Sequence, residues 1–153
     1  LILYGNTISN EKWNQLGLSE IAEYRGWLDY SKDVSTLKDI DVFLQLLDDN
    51  NVSKAGWPNK LGDYLAFGKP VILSPYGDII DFVKNEKGFF IVEYNKYSIL
   101  KNLQEIKDIP YSDLKTMGYA NRQLAEKISW KNRAKNIEYI CNKIRFNNET
   151  VKN

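Results

Sequence analysis

The chain has no histidine, a single cysteine and a single methionine among its 153 residues. Without histidine, no Ser-His-Asp triad, Cys-His dyad or His-based zinc site can be built within it. One cysteine, Cys141, cannot form an internal disulfide, and this usage suits a reducing cytoplasm. No run of about 18 apolar residues exists to span a bilayer, and no signal peptide is visible. An excess of one charge is also missing: 21 Lys and Arg stand against 20 Asp and Glu, a net charge of +1. That balance gives no reason to expect nucleic acid or an acidic membrane as a partner. The one basic stretch, from Lys127 to Arg145, is broken by apolar residues at helical spacing and reads as the wet face of a helix.

What is present is an alternation of short apolar runs and amphipathic stretches. Leu1 to Tyr4, Ile21 to Arg25, Val42 to Leu47, Val71 to Leu73 and Phe89 to Val92 read as strands. Helices are expected from Asn10 to Leu16 behind a Ser9 cap, and from Val34 to Ile40. A third is expected from Asn59 to Phe67 with Pro58 at its first position, and a fourth from Ile79 to Lys84. Asp48 to Trp57 reads as a polar loop. Gly68 is placed to end the third helix in a left-handed conformation. After Tyr94 the chain turns helical: Ser98 to Lys107, then a helix capped by Ser112, then one capped by Ser129. The last carries Trp130, Ala134, Ile137, Cys141 and Ile144 as one apolar stripe. Asn147 to Asn153 is polar and expected to fray. Strands alternating with helices argue for a mostly parallel sheet covered on both faces, with a helical C-terminal extension. The first residue is Leu1, already inside an expected strand, so the chain is expected to be cut from a longer polypeptide.

Ligands of open α/β sheets bind beyond the carboxyl ends of the strands. Gly5, Gly26 and Gly77 fall at such ends, where glycine either serves a simple turn or lets backbone approach a ligand. The helix opening at Asn59 presents unpartnered N–H groups and the positive end of its dipole, a place for phosphate. Lys60 in that first turn opposes the dipole unless an anion is near; it reads equally as a surface lysine. Asp63, one turn on, can accept two hydrogen bonds from a vicinal diol, or be an ordinary surface carboxylate. The turn Ser74 to Asp78 is a second potential anion cradle, although Asp78 is read first as the cap of the following helix.

The stretch Trp57-Pro58-Asn59-Lys60-Leu61-Gly62-Asp63-Tyr64-Leu65-Ala66-Phe67-Gly68-Lys69-Pro70-Val71-Ile72 resembles the signature of group 1 (family 4) glycosyltransferases of the GT-B fold. Leu1 to Asn6, Tyr24 to Leu28, Asp41 to Leu44, Pro75 to Asp78 with Val83, and Ser129-Trp130 resemble further pieces of that family in the same order. The resemblance implies a Rossmann-like three-layer α/β/α sandwich over residues 1–147, the C-terminal donor-binding half of such an enzyme, lacking its first strand and helix, with 148–153 as a frayed tail.

It further implies that Asp63 holds the ribose hydroxyls of a nucleotide-diphosphate sugar. Gly26 and Trp27 would border the base, Asn59, Lys60 and Leu61 would face the diphosphate, and Gly5, Asn6 and Gly77 would line the cleft. No metal, no other cofactor and no catalytic residue is assigned within the chain. The implied reaction is transfer of a glycosyl group to a hydroxyl acceptor in bacterial-type surface polysaccharide or glycolipid synthesis. The acceptor domain, and any peripheral attachment to the inner face of the cell membrane, would belong to a missing N-terminal half. Three features depart from the family pattern. Ala55 stands where the first acid of its paired-acid motif belongs, with Asp48 or Asp49 as candidate substitutes. Tyr76 replaces the first glycine of a Gly-Gly turn. The basic pair expected before the first strand is absent. A non-catalytic interaction domain on the same fold is therefore the alternative, and a response-regulator receiver domain, suggested by Asp48-Asp49, fits the motif order poorly.

Overall fold

In the computed structural model, residues 1–6 and 8–150 are described. They fall into two compact units, Leu1–Asp39 and Ile40–Asn153, each with its own parallel sheet in place of the single sheet expected. The elements are β1 (Ile2–Leu3), α1 (Asn10–Gln15) and β2 (Glu23–Tyr24), then a 3-10 helix at Val34–Asp39, β3 (Phe43–Gln45), α2 (Asn51–Ala55), α3 (Asn59–Ala66) and β4 (Val71–Leu73). They continue through α4 (Ile79–Val83), β5 (Phe89–Ile91), α5 (Lys96–Lys107), α6 (Tyr111–Lys127) and α7 (Trp130–Thr150).

In the first unit β1 and β2 pair in parallel, Ile2 opposite Glu23 and Leu3 opposite Tyr24. Ser9 caps α1 as expected, its side chain accepting from the Lys12 amide. In the second unit β4 is central, with β3 and β5 parallel to it on either side. All three of its residues are fully buried, which is why Val71-Ile72-Leu73 is an unbroken apolar run rather than an alternating one. Alternation does govern its neighbours. Val42, Leu44, Leu46, Phe90 and Val92 pack with Ile72 against Ile99 and Ile106 of α5 and Leu114 and Met117 of α6. Phe43 faces the other way and stacks on Tyr64 of α3, ring centroids 4.3 Å apart.

The longest helices differ from expectation at their ends. Asn95 caps α5, accepting from the Ser98 amide. Pro110, extended at φ −55° and ψ 138°, makes the entry to α6, so Ser112 lies inside the first turn and does not cap it. Ser129 does receive the Asn132 amide at the start of α7, at 3.4 Å. That helix runs to Thr150, past the expected fraying point; residues 151–153 lie outside the described residues. Its apolar stripe is exposed: Trp130 at 84 %, with Ala134, Ile137, Cys141 and Ile144 also open to solvent.

A buried asparagine ties α6 to the sheet. Asn121 Nδ2 donates to Lys69 O and to Gly88 O, both at 2.9 Å, bridging the chain as it enters β4 and β5. Asn121→Ala removes both bonds inside the core. A loss of about 1–3 kcal/mol in urea unfolding is expected, and an unchanged midpoint would show that the bridge contributes nothing.

Candidate functional site

In the first unit the structure brings Gly5 and Gly26 together. The Gly5 amide donates to Gly26 O at 2.8 Å, and the Tyr24 hydroxyl donates to Gly5 O at 2.8 Å. Gly26 sits at φ +71°, the left-handed region that favours glycine. Asn6 is exposed and the Trp27 indole is 75 % exposed, so both flank this double turn with open side chains. Arg25, next to Gly26, grips Glu23 through two bonds of 2.9 Å. Each ion favours the charged form of the other, holding the guanidinium pKa up and the carboxyl pKa down. Arg25 therefore already has a carboxylate partner within its own unit.

In the second unit α3 carries the central candidates. Pro58 stands just before the helix rather than at its first position. The amide of Leu61 is already used, donating to Pro58 O at 2.9 Å. Among the described residues, this leaves the amides of Asn59 and Lys60 as the donors at the amino end without a backbone partner. The Leu61 side chain is fully buried with Leu65, so Leu61 positions the helix and offers no surface to a ligand. Asn59, Lys60 and Asp63 are all exposed. Tyr64, clamped on Phe43, feels both burial and the Asp63 carboxylate, and its pKa is raised. That clamp and the two buried leucines fix the helical phase that turns Asp63 outward.

The segment read as a loop, Asp48 to Trp57, contains a missed helix, α2. Asn50 caps it, its side chain accepting from the Ser53 amide at 2.8 Å. The helix ends at Ala55, the position of the absent motif acid, and places Lys54 against Asp49 as an ion pair. Gly77, at φ +81°, fits beneath α2: a Cβ there would lie 3.0 Å from both Ser53 O and Lys54 O. The turn before α4 thus packs directly on the backbone of α2. Asp78 is not a side-chain cap. Its backbone is already helical at φ −60° and ψ −18°, whereas capping needs an extended residue to swing the side chain over the first amides.

Tyr76 brings in a residue that sequence reading missed. Its hydroxyl donates to Glu93 Oε2 at 3.4 Å, just beyond β5. Burial, then the carboxylates of Glu93 and Asp49, raise its pKa. Two carboxylates, Glu93 and Asp49, thus act on Tyr76 near the carboxyl end of this sheet. Two hollows of this unit lie at the opposite, amino end. One of about 530 Å³ is lined by Gly68, Lys115, Thr116, Tyr119 and Arg122, and a smaller one by Asp41, Lys69, Pro70 and Tyr111. Neither touches an expected ligand residue. Among the described residues no group of three or more acids and cysteines is arranged to hold a metal ion, and no helix is long and apolar enough to cross a membrane.

No protein-family model matches the sequence, and no curated protein matches it. Solved structures do match. Sucrose-phosphate synthase from Thermosynechococcus elongatus superposes with a TM-score of 0.72 at 16 % identity, over 94 % of this chain and 38 % of that one. HepE from Anabaena, in complex with UDP and glucose, superposes with a TM-score of 0.62 at 14 % identity, over 82 % of this chain and 35 % of that one. The same protein's complex with UDP-glucose gives 0.61 at 15 % identity. The chain thus spans little more than a third of these proteins. Parallel strands with flanking helices in this arrangement are the Rossmann-like fold of these GT-B neighbours, and the likeness shows that the chain has this fold.

Proposed function

We propose that this chain is the donor-binding part of a glycosyltransferase and binds a nucleotide-diphosphate sugar. One observation carries the reading: the amino end of α3 offers two open amides, with Lys60 in the same turn and Asp63 exposed one turn on. Backbone donors and a helix dipole suit a diphosphate. A carboxylate one turn away suits the paired hydroxyls of ribose. The likeness to HepE, whose structures hold UDP and UDP-glucose, supports the same ligand class.

Holding donor and acceptor together and stabilising the leaving diphosphate supply the catalysis, with helix dipole and lysine in place of a metal. The acceptor hydroxyl binds a domain outside this chain. Group 1 membership, a role in surface polysaccharide or glycolipid synthesis, and a place in the cytoplasm or at the inner membrane face belong to the same proposal. Ala55, which offers no carboxylate at the end of α2, favours a second reading, in which the domain binds nucleotide or a partner without catalysis.

Calorimetric titration with UDP tests the donor site that the first reading needs. Asp63→Ala is expected to lose about 1–3 kcal/mol of binding, the worth of charge-assisted hydrogen bonds. Unaltered affinity removes Asp63 from the site, and no binding by the unsubstituted chain withdraws the donor-site reading.

A further inference from the structure

The loop that aims α3 is clamped from outside by the corner between α6 and α7. Trp57 lies two residues before α3, its indole edge-on to Phe82 of α4 at 5.3 Å between ring centroids. The Arg133 guanidinium sits over the Trp57 ring at 5.6 Å and over the Trp130 ring at 5.7 Å. Arg133 is itself fixed, its Nε donating to Ile128 O at 3.1 Å. Asn132 secures the same corner, Nδ2 donating to Glu126 O at 2.7 Å. Trp130, at the start of an exposed stripe, thus has an aromatic–cation partner that its 84 % exposure conceals.

We infer that Arg133 is a positioning residue for the ligand-facing end of α3. Within reach of two indole rings, it holds Trp57, and through the short Trp57-Pro58 link it fixes where the Asn59 and Lys60 amides point. The inference rests on the reading that this end takes the diphosphate, but the clamp itself does not depend on it. The segment from Trp57 to Asn59 is otherwise held by the Phe82 edge contact and by the Leu61 amide on Pro58 O; Pro58 makes no side-chain cap bond and has no N–H to donate. A planar guanidinium can meet the face of an indole in a way that a lysine ammonium cannot.

The test uses the unsubstituted chain, Arg133→Ala and Arg133→Lys, read by amide exchange and by the Trp57 indole N–H resonance, with UDP as the ligand probe. The Leu61 amide, bonded to Pro58 O, reports the start of the helix directly. Arg133→Ala should speed exchange at Leu61 by about threefold to tenfold, shift the Trp57 resonance, and weaken UDP by a similar factor. The amides of β4 should keep their native exchange, and Arg133→Lys should restore part of each effect. Native exchange at Leu61 with an unmoved Trp57 resonance overturns the inference, as does an equal rise in β4, which marks Arg133 as merely structural. Where Arg133→Ala does not fold, Trp57→Leu cuts the clamp from its other side. It must loosen Leu61 alike, and native exchange there overturns the inference too. Failure of the unsubstituted chain to bind UDP would sink the donor-site reading while leaving the exchange result to decide the clamp.

Discussion

Alanine at position 118 should unfold the second unit or strip it of most of its stability. Gly118 lies inside α6 where that helix crosses the end of α3, and a Cβ there would fall 2.1 Å from Gly68 O and 2.8 Å from the Gly68 carbonyl carbon. Both are backbone atoms, so no rotamer change relieves the overlap. Gly68 cannot retreat, because it holds φ +66° to end α3 and turn into Lys69, and Arg122 Nη1 donates to Ala66 O beside it. Relief requires α6 to move off α3, which also pulls Asn121 away from Lys69 and Gly88. We expect a loss of about 3 kcal/mol or more. Urea or thermal unfolding followed by circular dichroism reads it, and a chain with native stability would mean that the two helices are not in this contact.

Leu61→Ala is the second large effect, and it distinguishes a residue that shapes the site from one that meets the ligand. The side chain is fully buried in the core. Deleting it leaves a cavity under the first turn of α3, with an expected cost of about 2–5 kcal/mol. At temperatures where the variant stays folded, UDP affinity should change far less than in Asp63→Ala, since Leu61 gives neither a free amide nor an exposed atom. A variant of native stability with lost binding would instead place the Leu61 side chain in contact with ligand.

Much of this was legible before any coordinates. The run Leu61-Gly62-Asp63-Tyr64-Leu65 carries its helix, its buried pair and its outward carboxylate in the spacing alone. Gly68 and Pro70 mark the end of that helix as plainly, and Val71-Ile72-Leu73 declares a strand buried on both sides. Ser9 and Ser129 cap the helices they were expected to cap. The failures have local causes. Asn50 starts a helix of five residues within Asp48 to Trp57, too short to show a period, so polarity masked it. Ser112 lost its capping role because Pro110 already provides the extended entry. Asp78 lost the same role because Gly77 delivers it with a helical backbone. Tyr76 with Glu93, and Arg133 with Trp57, pair residues far apart in the chain, and no spacing rule joins them. The stripe on α7 has the pattern of a buried face and yet is exposed along the described helix, since periodicity marks which side is apolar and not whether anything lies against it.

The central position of β4 also bears on how the chain reaches its native state. Each neighbour of β4 in the sheet is separated from it in sequence by helices, so no tight hairpin can seed the ladder. Closing those long loops precedes any reward from strand pairing, which slows assembly. During synthesis, Phe89–Ile91 must leave the ribosome before the middle strand has both its partners, so the nascent second unit gains its stability abruptly and late.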